Sequence, residues 1–181
     1  MLGHLDADVI GLEVVERGGG RVIDEVSLTL PAGASPQDVL GHLSRVEGID
    51  VEGIRLAGSG RRTRPELITA AADLIRSAPR VAGGELCRLV AEDLRSDWCA
   101  VVIDGEVLAS EGLIPSLDWI VAFDAGAAAS PTELVVAEGV MRAHRGDVSV
   151  LAGRAEIGFL DSEGHELLAW ASLGEAVLQV N

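Results

Sequence analysis

The side chains that could do chemistry are few and far apart. Cys87 and Cys99, the only cysteines, stand twelve positions apart, a spacing that fits neither a disulfide framework nor a four-ligand zinc site, so they read as two buried, reduced thiols. His4, His42, His144 and His165 are widely spaced and form no His-x-x-x-His pair, which points to solvated imidazoles rather than metal ligands. Ser172 lies in Trp170-Ala171-Ser172-Leu173-Gly174, which lacks the first glycine of a nucleophile elbow and has few residues after it for a following Asp and His; it reads as a strand residue. The acidic pairs Asp24-Glu25 and Glu92-Asp93 could split their pKa values and act as acid and base. Adjacent residues point to opposite faces of a strand and diverge on a helix, however, so solvated charge is the simpler reading. Trp98, Trp119 and Trp170 could line a pocket, with core packing as the first expectation. Gly58-Ser59-Gly60 starts like a dinucleotide fingerprint, but Thr63 replaces the last glycine and no βαβ unit surrounds it. The expectation is a protein with no catalytic group, no metal and no cofactor.

Charge narrows the class further. The chain has 181 residues, 14 basic against 29 acidic, for a net charge of −15, and every basic residue is Arg. Without Lys there is no phosphate-loop lysine, Schiff base or Lys general base, and without Tyr no Tyr acid. Nucleic acids and anionic membranes are normally bound through a basic face, so neither is expected as a partner; Arg61-Arg62-Thr63-Arg64 is the one local exception. No run approaches the ~18 apolar residues of a membrane helix, and the opening residues lack the layout of a signal peptide, which predicts a cytoplasmic protein. At 48% hydrophobic and 24% charged, the composition is that of a chain with a packed core.

Asp8 to Arg17 and Arg21 to Leu30 are rich in Val, Ile and Leu and flank Gly18-Gly19-Gly20, which predicts a β-hairpin. Pro31 to Pro36 break the strand, with Ser35 as N-cap and Pro36 at the first helical position. Val39, Leu40, Leu43 and Val46 form the apolar stripe of a helix ending at Gly48. Ile49 to Leu56 reads as a third strand. This strand, strand, helix, strand order, with the run Asp8-Val9-Ile10, the glycine turn and the Pro-bounded helix, resembles the later part of an ACT domain over residues 1–57. The resemblance implies a truncated ferredoxin-like β-β-α-β module that binds an amino acid. The first strand and ligand-contacting loop of that family have no counterpart here. In the family's fold the first strand lies between the third and fourth, so its absence would leave backbone groups unpartnered. A homodimer through the exposed sheet edge is the favoured cover. Of the family's ligand positions only the start of its second strand maps here, onto Asp8 and Val9; the Asp8 carboxylate would receive a ligand ammonium, or simply cap the turn into the strand.

Residues 58–64 read as a linker, and 65–181 as a second α+β domain. Pro65 opens a helix with Leu67, Ile68, Ala71, Leu74 and Ile75 as its stripe. A second helix carries Leu86, Leu89, Val90 and Leu94. Trp98 to Ile103 and Glu106 to Ala109 flank Asp104-Gly105, a strong hairpin signal. Pro131 to His144 reads as a helix capped by Ser130, and Val148–Ala152, Ala155–Leu160 and Glu166–Ser172 as closing strands, the last two joined by a turn at Asp161–His165. This order is similar to GAF-type or profilin-like sensory domains. The whole therefore reads as a non-enzymatic regulatory protein sensing a small molecule, by the ACT resemblance an amino acid. The alternatives are a structural or protein-interaction module without ligand binding, and an enzyme whose site has no recognised motif.

Overall fold

The computed structural model describes residues 6–18, 20–54, 64–137, 139–155 and 158–178. The chain divides into two compact units, Met1–Ser59 and Gly60–Asn181.

In the first unit β1 (Asp8–Gly18) and β2 (Arg21–Thr29) form an antiparallel ribbon, turned at Gly20, whose φ of +79° suits a residue without a Cβ. The ladder steps twice, between Val9 and Gly11 and between Val14 and Glu16. Each step inserts one residue and so resets the alternation of faces. Pairs Val9↔Leu28, Leu12↔Val26 and Val14↔Asp24 then share one face, and Asp8↔Thr29 and Gly11↔Ser27 the other. Helix α1 (Pro36–Leu43) starts where Ser35 and Pro36 dictate. The Asp38 backbone N–H donates to Ser35 Oγ at 3.3 Å, and the Ser35 N–H donates to Asp38 Oδ2 at 2.8 Å, a capping box that satisfies two otherwise orphaned donors. The Ser35 hydroxyl, donating to Asp38 Oδ2 at 2.7 Å, and then the Ser35 N–H hold the Asp38 carboxyl below its ordinary pKa. The expected third strand is a correction: residues 49–54 carry no strand, and 55 and 56 lie outside the described residues. A strand exists only against a neighbour's ladder, and this sheet has two strands, β1 and β2, among the described residues. The ACT-like order is therefore seen only as strand, strand, helix.

The second unit runs α2 (Arg64–Leu74), α3 (Pro79–Asp93), β3 (Trp98–Ile103), β4 (Glu106–Gly112), α4 (Leu117–Ala128), β5 (Leu134–Ala137), β6 (Val140–Arg145), β7 (Val148–Gly153) and α5 (Asp161–Leu178). The five strands form one antiparallel sheet in the order β4-β3-β7-β6-β5. Asp104 and Gly105, at φ +52° and +76°, make the tight turn their types announce. The central strands β3 and β7 are buried on both faces. Cys99, Val101, Val148 and Val150 pack beneath α3 and α5, with α2 against α3. Trp98, Ala100, Val102 and Leu151 pack on the other face with Ile120 and Phe123 of α4.

Three expectations for this unit fail for physical reasons. Residues 131–144 are not a helix but the hairpin β5–β6. The apolar spacing that suggested a helix also fits two short strands, and β-branched Val135, Val136 and Val140 favour a pleated surface. Gly139 decides it, at φ +72° and so close to the Arg154 carbonyl that a Cβ would stand 2.5 Å from its oxygen. Residues 166–172 are not a strand, and 161–165 are not a turn; both belong to α5. Leu167, Trp170, Ala171 and Leu178, all buried, recur at helical spacing and close the core under the sheet. The remaining expected strand, 155–160, is not formed at 155 or 158–160, and 156 and 157 lie outside the described residues. Helix α4 has no counterpart among the predicted elements, because Leu117 to Phe123 is apolar nearly all round and shows no stripe.

Buried Arg154 joins the end of the sheet to the start of α5. Its amino groups donate to Glu163 Oε1 and Oε2 at 2.8 and 2.6 Å, to the Leu94 carbonyl at 3.1 Å and to the Gly158 carbonyl at 2.6 Å. Its guanidinium lies 4.1 Å above the centre of the Phe159 ring.

Candidate functional site

On the α4 side of the sheet the second unit has an open groove of about 550 Å³. One wall is Phe123, Gly126 and Ala127 of α4; the other is the edge strand β5, where Val135 stands on the α4 face while Leu134 and Val136, paired with Ala143 and Met141, turn to the α5 face. Ser130 and Thr132 close one end, their hydroxyls 2.8 Å apart. Helix α4 packs over β3 and β4 and reaches Leu151 of β7 and Val140 of β6, which leaves the groove between it and the edge strand β5. A Cβ placed on Gly126 would meet nothing within 4 Å, so this glycine borders free space.

Helix α4 is held at both ends of its inner face. Ser116 caps it, accepting from the Trp119 N–H at 3.3 Å. Trp119 stacks on Phe123 with ring centres 5.2 Å apart and meets Trp98 edge-on at 6.3 Å. Trp98 in turn fills the space over Gly153, where a Cβ would stand 2.2 Å from the indole. Further along, Arg142 of β6, fully buried, donates from Nε to Asp124 Oδ1 at 2.8 Å and from Nη2 to Ser149 Oγ at 3.0 Å. Ser149 Oγ is 3.1 Å from His144 Nδ1. This network ties the helix to β6 and β7, and Arg142 is cross-strand partner of Val135 in the groove wall.

The two sheet edges differ. Strand β4 carries Glu106 and Glu111 and a register step, features that discourage pairing with another chain. Strand β5 is Leu-Val-Val-Ala, with Val136 half exposed and no charge of its own. Around the helix side, Leu113, Leu117 and Trp119 are exposed, Leu113 at 90%.

The sequence-predicted positions are scattered. Asp8 and Val9 sit at the start of β1, opposite Thr29 and Leu28 and on different faces of the ribbon, so they do not converge on one ligand. The exceptions are Cys87 and Cys99, which are buried, form no disulfide and lie within hydrogen-bond reach of each other; burial pushes the Cys99 thiol well above its usual pKa. His144 is no solvated imidazole but part of the Arg142 network. Ser172 is helical, donating to the Leu168 carbonyl at 2.9 Å. Glu92 pairs with Arg88, while Asp93 accepts from Trp170 Nε1 at 2.7 Å. Arg88, which also binds Glu85, is shifted up by that carboxylate. Arg61, Arg62 and Thr63 lie outside the described residues. Among the described residues no cluster of three or more His, Cys, Asp or Glu could hold a metal, and no helix is long and apolar enough to cross a membrane. Sequence reasoning missed the groove, since β5 was read as helix and α4 was not read; the pair Glu138-Gly139 between β-branched runs was the available signal.

No family model matches the chain, and no curated protein matches it. Among solved structures it is similar to the GAF domain of an Acinetobacter phosphoenolpyruvate-protein phosphotransferase, at TM-score 0.46 and 12% identity, covering 65% of this chain and 94% of that one. It is also similar to the GAF domain of a Pseudomonas syringae pv. tomato protein named as a sensor histidine kinase, at TM-score 0.43 and 12% identity, covering 62% and 83%. Neither likeness lends support to an ACT assignment for the first unit.

Proposed function

We propose that the chain is a non-enzymatic regulatory protein that acts by binding, and that the α4–β5 groove is its binding surface. The observation that carries this is an open apolar groove beside an uncharged sheet edge. Its lining offers two hydroxyls, Ser130 and Thr132, and no carboxylate, imidazole or thiol among the described residues. Reaction chemistry needs converging titratable groups. The occupant that fits an open groove is an extended apolar segment of a partner protein: its backbone pairs with β5 while alternate side chains enter the groove. A peptide library displayed on phage and panned on the full chain tests this. Enriched sequences should be rich in Val, Ile and aromatic residues and should lose binding to Val135→Asp and to Gly126→Met, which fills the groove. Absence of enrichment, or binding unaffected by both substitutions, would defeat the reading.

A small-molecule sensor is the second reading, favoured by the two hydroxyls, Ser130 and Thr132, that stand together at the end of an apolar groove. The amino-acid ligand implied by the ACT resemblance belongs here. A thermal-shift screen over the twenty amino acids separates the two, since a ligand at ~100 times its Kd adds ~2.7 kcal/mol. Homodimerisation through the free edge of β2 completes the proposal; light scattering that returns a monomer of 18.8 kDa at high concentration would remove it. Two reduced thiols suit a cytoplasmic setting.

A further inference from the structure

The β1–β2 ribbon is amphipathic and its apolar face is uncovered. Val9, Leu12, Val14, Val22 and Val26 are all on that face and are 41–66% exposed. The opposite face holds Asp8, Arg21, Ile23, Glu25, Ser27 and Thr29, and the charged residues Arg17 and Asp24 share the apolar face. The register step between Val9 and Gly11 keeps Val9 in phase with Leu12 and Val14, and the step between Val14 and Glu16 brings Arg17 onto the same face, opposite Val22. A two-stranded ribbon gains independent stability when a third layer covers it.

We infer that this face receives an amphipathic basic helix from a partner protein, and three observations select that occupant. The first is width: two strands ~4.8 Å apart offer a face about as wide as one helix is thick, ~10 Å. The rows from Val22 to Leu28 run for roughly 20 Å, the length of a helix of about 13 residues. The second is Asp24, an exposed carboxylate in the middle of the apolar rows that makes no hydrogen bond or ion pair among the described residues. The face's own cation, Arg17, stands at its Val22 end, so at the centre a cover that brings a cation to Asp24 is favoured over one that only desolvates it. The third is charge: a second copy laid face to face would set its own Asp24 on this face, and at a net charge of −15 an anionic lipid surface would be repelled. A helix with a Leu-type stripe flanked by Lys or Arg answers all three. This inference concerns the first unit and is independent of the groove.

The test uses the full chain and three synthetic peptides of about 15 residues: a Leu-striped Lys-flanked helix, the same helix with Glu for Lys, and a scrambled Lys version. Calorimetry at physiological salt should show binding of the first, with the other two weaker by about tenfold or more. Leu12→Asp should abolish binding and Asp24→Asn should weaken it about tenfold, while Thr29→Asp, on the opposite face, leaves it unchanged. Asp24→Asn keeps the shape of an exposed residue, so its effect does not depend on whether Leu12→Asp folds. Equal binding of the Lys and scrambled peptides would overturn the inference. So would affinity indifferent to Asp24, or self-association of the chain that Leu12→Asp removes, since a second copy would then be the cover.

Discussion

Removing the Asp124 carboxylate should loosen α4 from the sheet, and the structure sets the size of the effect. Arg142 is 2% exposed and Asp124 13% exposed at their side chains, joined at 2.8 Å. Deleting one partner of a buried pair costs about 3–5 kcal/mol, because the other charge is left without compensation. Arg142 keeps Ser149 as an acceptor, which places Asp124→Ala at the lower end, about 3 kcal/mol. Asp124→Asn retains an oxygen for the Arg142 Nε–H and should lose about half as much. The double replacement Asp124→Leu with Arg142→Met removes both charges and should fall within about 1 kcal/mol of wild type. Urea unfolding followed by tryptophan fluorescence is the assay, and it reads the second unit alone because Trp98, Trp119 and Trp170 all lie there. With a slope of about 1–3 kcal/mol per molar, the Asp124→Ala midpoint should drop by roughly 1–3 M. A drop under about 0.3 M, or a double variant whose loss equals the sum of the two singles, would show that the pair is solvated and that α4 is held by packing alone.

Other expected outcomes follow from single contacts. Gly153→Ala drives a methyl group into the Trp98 indole and should cost about 1–3 kcal/mol in the same assay, whereas Gly126→Ala, on α4 facing open space, should stabilise by about 0.5–1 kcal/mol. Cys99, held protonated by burial, should resist a thiol reagent at pH 8 in the native state and react once urea unfolds the second unit; fast native labelling would contradict the packing. Asp38 has a lowered pKa through Ser35, so its contribution is present above its unfolded pKa and fades as pH falls through the folded value. Carboxyl NMR titration should place Asp38 below its ordinary 3.8, and Ser35→Ala should raise it; an unchanged titration in Ser35→Ala would refute the capping box.

Local turn chemistry carried most of what could be read in advance. Gly18 to Gly20, Ser35-Pro36 and Asp104-Gly105 each demand a particular backbone geometry, and hairpin, cap and hairpin stand at those places. The losses came where apolar residues are dense. Leu167, Trp170 and Ala171 fit both a strand run and a helix stripe, and only burial over the full length of α5 separates them. Leu134 to Met141 has the same ambiguity, resolved by β7 lying ready to pair with β6. Ile49 to Ile54 alternates as a strand should yet has no ladder to join. The groove depends on α4 and β5 together, so it was invisible as long as both were misassigned. The Arg142 network was equally hidden, since Asp124, Arg142 and Ser149 come from three elements that only the sheet order brings into contact.

The place of α5 in the chain has a bearing on how the protein is made. All five strands of the second unit precede Asp161, yet the helix that seals Val148, Val150 and Met141 is the last element among the described residues, fastened by Arg154 to Glu163. During synthesis α2 and α3 are therefore available to that side of the sheet before α5, and the part that only α5 seals stays open until it emerges, a span in which chaperones have something to grip. Ribosome-bound chains halted at Leu160 should take up a hydrophobic dye that those extended past Leu178 exclude.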